Sequence, residues 1–137
     1  MRLALATIIC LASPFGLGCS DGPTAPGELI AQGVWGGRGI RLTVTAAGGT
    51  ADYGCDIGSI GEPLVLNQSR FSATGTYTYS VSHSGQDTPE KPHPARYEGT
   101  VNDTTMELTV YLVDLSRPVG PFQLTLGRPA VLARCAV

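Results

Sequence analysis

Apolar and polar residues alternate with a period of two along most of this chain, and the clearest case is a complete hairpin between Tyr97 and Val113. Tyr97, Gly99 and Val101 alternate with Glu98 and Thr100, and Asn102-Asp103-Thr104 supplies a turn. Met106, Leu108, Val110 and Leu112 then alternate with Thr105, Glu107, Thr109 and Tyr111. Such a period puts one set of side chains on a core and the other in water. It also fixes register, because a slip of one residue would expose every apolar group. The same pattern predicts a strand over 39–46 with Ile40, Leu42 and Val44 inward, and one over 50–57 with Tyr53, Cys55 and Ile57 in phase. A short strand is expected at 64–66 and a long one over 70–81, where Phe71, Ala73, Gly75, Tyr77, Tyr79 and Val81 share a face. Phe122, Leu124 and Leu126 mark a seventh strand and 131–137 an eighth, while Gly33-Val34-Trp35-Gly36-Gly37 opens the domain.

Between these runs, Ala47-Gly48-Gly49, residues 58–63, Asn67-Gln68-Ser69 and residues 114–121 read as turns. Residues 83–94 form a polar segment whose three prolines argue for a loop and against helix or central strand. Connections this short pair sequential neighbours. The expected fold is therefore all-β, an antiparallel up-and-down meander closing into a small eight-stranded β-barrel, with a β-sandwich as the alternative.

Composition narrows the picture. The chain has 137 residues, 42% of them hydrophobic and 15% charged, which suits one domain with a real core. With 18 Gly and 10 Pro and no periodic run of helix formers, few helices are expected. A net charge of −2 with scattered arginines offers no basic stripe to a phosphate backbone, so nucleic acid is not an expected partner.

The N-terminus has a different character. Met1-Arg2 precedes the apolar run LALATIICLA, which Pro14 and Gly16 interrupt before it is long enough to anchor in a bilayer; residues 1–18 read as a signal peptide. The following Phe15-Gly16-Leu17-Gly18-Cys19-Ser20 resembles a bacterial lipobox. That resemblance implies that Cys19 is lipidated and becomes the mature N-terminus, that the protein is secreted across the inner membrane, and that Ser20 directs it to the outer membrane of a Gram-negative bacterium. An ordinary signal peptide cleaved before Gly27 is the alternative. On the lipobox reading, residues 19–28 are the lipidated cysteine and a Pro/Gly-rich tether, and residues 29–137 the single β-domain.

Of the 4 cysteines, Cys10 leaves with the signal peptide and Cys19 takes the lipid, so Cys55 and Cys135 remain as partners in an oxidising compartment. Phasing puts both on the inner face, joining the second strand to the last. The alternatives are two buried thiols, or a zinc site completed by His83 and His93, although neither pair has the close spacing of zinc ligands.

Signatures of catalysis are absent: the chain has no GxSxG, no HExxH and no phosphate-cradling glycine loop. His83, Asp87, Glu90 and His93 are weak metal candidates on a segment that reads more simply as solvated. Asp56, Glu62, Glu98 and Glu107 read as solubilising charges on outer strand faces unless the fold converges them. Trp35 reads as a plug for one end of the core; Trp35, Tyr77 and Tyr97 are the candidate ligand-lining residues should the interior hold a guest.

Taken together, GVWGG, YGCDIGSI, EPLVLNQSRFSATGTY, PARYEGTVNDTTMELTV, GPFQLTLG and a terminal ARC resemble a family of small uncharacterised bacterial secreted proteins and lipoproteins. The resemblance covers nearly all of 33–135 and implies paired cysteines, a single β-domain and no particular activity. More loosely, Gly33-x-Trp35 resembles the first strand of lipocalins and avidins, whose barrels bind small ligands. The expected function is a lipid-anchored, non-enzymatic envelope domain that meets the membrane through its lipid and has a structural or protein-interaction role. The alternatives are a lipocalin-like binder of a small apolar ligand and a metal-dependent enzyme using His83 and His93. No cofactor is expected.

Overall fold

The computed structural model describes residues 27–80 and 90–135. Every element among them is a strand, in the order β1 (Glu28–Leu29), β2 (Gly33–Gly37), β3 (Ile40–Thr45), β4 (Gly48–Asp52), β5 (Ile57–Ile60), β6 (Val65–Leu66), β7 (Arg70–Thr78), β8 (His93–Asn102), β9 (Thr105–Leu112) and β10 (Arg117–Leu126). Eight of them form a closed antiparallel barrel in the order β10-β2-β3-β4-β5-β7-β8-β9, while β1 and β6 pair separately. The up-and-down barrel expected from the alternation is therefore the fold, and the sandwich is not.

The hairpin that anchors the sequence reading is β8–β9, in which Tyr97 opposes Val110, Val101 opposes Met106 and Asn102 opposes Thr105. Asp103 turns the chain at φ 57°, a left-handed conformation that a short polar side chain tolerates. Tyr97, Met106, Leu108, Val110 and Leu112 are all at most 1% exposed, as period two requires. They meet Trp35, Ile40, Leu42 and Leu124 in one continuous core, so side chains fill the lumen, as they do in small eight-stranded barrels.

Strand membership differs from the sequence reading at several points. The run expected over 50–57 is two strands, because Asp52 Oδ1 accepts a hydrogen bond from the Gly54 N–H at 2.8 Å and Gly54 takes φ +96°. This Asx turn breaks the alternation, so Gly58 and Ile60 face inward and Ile57 is exposed. Residues 64–66 do not enter the barrel: Val65 and Leu66 pair with β1. β8 begins at His93, inside the expected proline loop; Pro94 accepts a hydrogen bond from Val113 N–H at 2.9 Å at the end of the β8–β9 ladder, where its missing N–H costs least. Finally, β10 starts at Arg117, with a register shift between Val119 and Phe122 that accommodates Gly120-Pro121.

The expected eighth strand is instead an extended tail. Val131 exchanges backbone hydrogen bonds with the Gly37–Gly39 turn in a parallel bridge opposite Arg38, and the chain then runs to Cys135, which is disulfide-bonded to Cys55. Neither cysteine faces the core, contrary to the phasing: Cys55 is half-buried on the 53–56 bend and Cys135 is exposed. Nor does the disulfide bring the sheet ends together, since β10 ladders directly onto β2 through Leu124–Gly37, Thr125–Gly36 and Leu126–Trp35.

The two barrel ends are unlike. At one, the β1–β6 ribbon crosses the opening, its flanking Ile30 and Leu64 buried in the core, and the Trp35 indole N–H donates to the Ala31 carbonyl at 3.0 Å. We call this the closed end. The opposite, open end carries the 53–56 bend, the start of β8 and the β9–β10 turn.

Candidate functional site at the open end

Polar chemistry gathers at the open end. The Asx turn after β4 swings Asp56 over the barrel mouth, where it is the one buried charged residue among those described, at 7% exposure. A buried carboxylate must be surrounded by donors. Tyr77 Oη donates to Asp56 Oδ2 at 2.7 Å and Ser80 N–H to Oδ1 at 2.9 Å, while the Asp56 carbonyl accepts from Tyr53 N–H at 3.0 Å. Beneath this lie two more phenols: Tyr53 Oη donates to Tyr97 Oη at 3.4 Å, and Tyr97 Oη to the Thr76 carbonyl at 2.7 Å.

Burial is the main force on these hydroxyls. It pushes Tyr97 up to about 12, and carries Tyr53 and Tyr77 well above the ordinary tyrosine range, reinforced by the neighbouring Tyr97 and by the Asp56 hydrogen bond respectively. All three therefore keep their protons at neutral pH and serve as hydrogen-bond donors, not as phenolates. The Tyr97 hydroxyl lies so close to Gly58 that a methyl group there would collide with it.

Beside this cluster, His93 opens β8 with Nδ1 2.7 Å from Asp114 Oδ2 and Nε2 3.5 Å from Glu90 Oε2. The hydrogen bond to Asp114 raises its pKa against the opposing pull of burial, with Glu90 adding to the rise. The half-buried Tyr79 ring stands edge-to-face with Tyr77 at 5.1 Å and with His93 at 5.4 Å, and its hydroxyl accepts from Arg117 Nη1 at 3.4 Å. Leu115 and Val119 complete the wall of a cleft of about 590 Å³, a volume in the range of small-ligand sites.

The structure distributes the sequence candidates unevenly. Tyr77 borders the cleft, whereas Trp35 and Tyr97 are wholly buried in the core and line no opening. Cys19, His83 and Asp87 lie outside the described residues. Among those described, no three His, Cys, Asp or Glu side chains are placed to hold a metal. Asp56 is not a solubilising surface charge, since the bend buries it. Glu62, Glu98 and Glu107 do stay on the outer wall, engaged with Thr74 N–H, Arg96 and Gln123.

Arg117 and Val119 escape the sequence reading because it takes 114–121 as a turn, whereas they belong to β10; Tyr79, read there as an inward strand residue, lies just past the end of β7. The Asp52-Tyr53-Gly54 turn signature was the available clue that Asp56 lies on a bend. No protein-family model, no curated protein and no solved structure matches the chain.

Proposed function

We propose that the protein is a lipid-anchored domain of the cell envelope whose barrel is a rigid pedestal and whose open end is its binding face. The observation that carries this reading is the contrast between a lumen packed with side chains and a lined cleft at the mouth. A lumen filled by Trp35, Tyr97, Met106 and Leu108 favours recognition at the rim over a lipocalin-like guest inside. The chain enters the barrel at Gly27 and β1, on the closed end. An acyl group on Cys19, followed by a Pro- and Gly-rich tether, thus holds the closed end nearest the bilayer and turns the cleft away from it. Exposed Ile57, Val113, Leu115 and Val131 add apolar contact area around that outward end.

Two measurements test the reading. Metabolic labelling with a fatty acid should mark the wild-type protein and not Cys19→Ala, and wild-type protein found unlabelled and free in the periplasm would remove the anchor. In-cell photo-crosslinking should give adducts from a probe at Leu115 and none from one at Thr109 on the outer wall. Adducts from the wall alone would move the binding face.

A further inference from the structure

We propose that the open-end cleft binds a short neutral saccharide, with Arg117 donating to and Glu90 accepting from its hydroxyl groups. The proposal deepens the reading of the open end as a binding face and rests on it. What the cleft leaves unsatisfied among the described residues matches what a sugar offers.

Arg117 is exposed, and among the described residues its guanidinium has one hydrogen-bond partner, the neutral Tyr79 hydroxyl at 3.4 Å. A guanidinium carries five N–H donors, so most have no partner among the described residues. Among the described residues Glu90 meets His93 through Oε2 at 3.5 Å, which leaves acceptor capacity on its carboxylate there. A ligand satisfying both must accept and donate within a short span, as vicinal hydroxyls do.

Charge points the same way. Asp56 and Glu90 share the lining with Arg117 and His93, and His93 also meets Asp114 beyond the cleft. Acidic and basic side chains thus stand side by side, an arrangement suited to a ligand that both donates and accepts hydrogen bonds. The rest of the lining is the Tyr79 ring, Leu115 and Val119, apolar surface against which the C–H face of a sugar ring can lie, as in sites that combine apolar walls with a few placed polar groups.

A peptide also offers neutral donors and acceptors, but its usual entry is an open strand edge. The barrel is closed, and the part of β10 without a β2 partner, from Arg117 to Gln123, contains Pro118 and Pro121, which have no N–H to pair with an added strand.

The test is a titration of the full-length processed protein in detergent, followed by two-dimensional NMR. The probes are maltose, cellobiose and N,N′-diacetylchitobiose, with glucose 6-phosphate, glucosamine and trialanine as contrasts. At least one neutral disaccharide should shift the Arg117 side-chain N–H and the Leu115 and Val119 amides. Arg117→Gln and Glu90→Gln should each weaken that binding at least tenfold, with Glu107→Gln on the far wall without effect and melting temperatures unchanged. The proposal falls if no neutral sugar shifts these signals, if a charged sugar or trialanine binds tenfold more tightly, or if both variants bind as the wild type does. Crosslinks at Leu115 without sugar binding would refute the saccharide and leave the binding face standing; crosslinks from the outer wall alone would refute both.

Discussion

The two ends of the barrel are built from the same meander but held by different forces. At the closed end Ile30, Leu64 and Trp35 are at most 2% exposed, and the polar groups there are met by local backbone, as in the Ile30 N–H to Leu64 carbonyl bond at 3.0 Å. At the open end a buried carboxylate, three phenols, a histidine bonded to a carboxylate and a disulfide do the work that apolar burial does opposite. Apolar packing is non-directional and tolerant; hydrogen-bonded burial is geometric and is lost abruptly when one partner goes. The lesson is that one end can be altered with consequences for stability alone, while changes at the other also move the groups that form the cleft.

The largest effect that sharpens this contrast is expected from the Cys55–Cys135 bond. It spans 80 residues, for which the chain-entropy account gives about 4.5 kcal/mol. Reduction should lower the melting temperature strongly. Because the bond ties the tail to the 53–56 bend, amide exchange should accelerate first in residues 127–135 and around Asp56, leaving the Asn102–Thr105 turn at the closed end protected. Uniform acceleration at both ends would erase the distinction.

Next in size is a pair of leucines, one from each end. Leu64 is 1% exposed, so Leu64→Ala should cost about 2–5 kcal/mol, whereas Leu115, 47% exposed, should cost under about 0.5 kcal/mol as Leu115→Ala. Denaturant unfolding of the two variants measures the difference directly. Equal losses would mean that the open end is packed as tightly as the closed one.

Asp56 comes third. Asp56→Ala strands the Tyr77 hydroxyl and the Ser80 N–H without this acceptor, a loss of about 1–3 kcal/mol, while Asp56→Asn keeps one acceptor oxygen and should lose less. Both variants should perturb Tyr77 and Tyr79 resonances at the mouth and leave the Trp35 indole signal unmoved. A shifted Trp35 signal would show the ends to be coupled through the core.

What the sequence disclosed follows the same division. Alternation identified the fold class, the β8–β9 hairpin and most inward residues, because burial on one side of a sheet leaves its mark on every second residue. It failed wherever a turn reset the phase. Ile57 was read as inward since nothing in the alternation signals the Asx turn at Asp52, and Val131 was read as a strand residue although it is 68% exposed on the tail. Counting cysteines paired Cys55 with Cys135, yet phase placed them on the wrong face. The cleft depends on residues from the β4–β5 bend, the end of β7, the start of β8 and β10, and only closure of the barrel brings these together.

The smallest effect concerns His93, and its sign is fixed by the direction of the pKa shift. The hydrogen bond to Asp114, with Glu90 adding to it, raises the folded-state pKa above the ordinary 6.5. The protonated form is therefore favoured by folding, so the stabilisation is complete below about pH 6.5 and is lost as pH rises through the raised folded value. The imidazole is partly exposed, which limits the gain to no more than about 1 kcal/mol. Chemical denaturation at steps between pH 5.5 and pH 9 should show wild-type stability drifting down relative to His93→Gln, with the difference closing at the alkaline end. Asp114→Asn should shrink the same difference, because it removes the principal partner. A variant whose pH profile runs parallel to the wild type throughout would mean that the His93–Asp114 contact contributes nothing to holding β8 against the β9–β10 turn, and that the mouth is held by the Asp56 cluster and the disulfide alone.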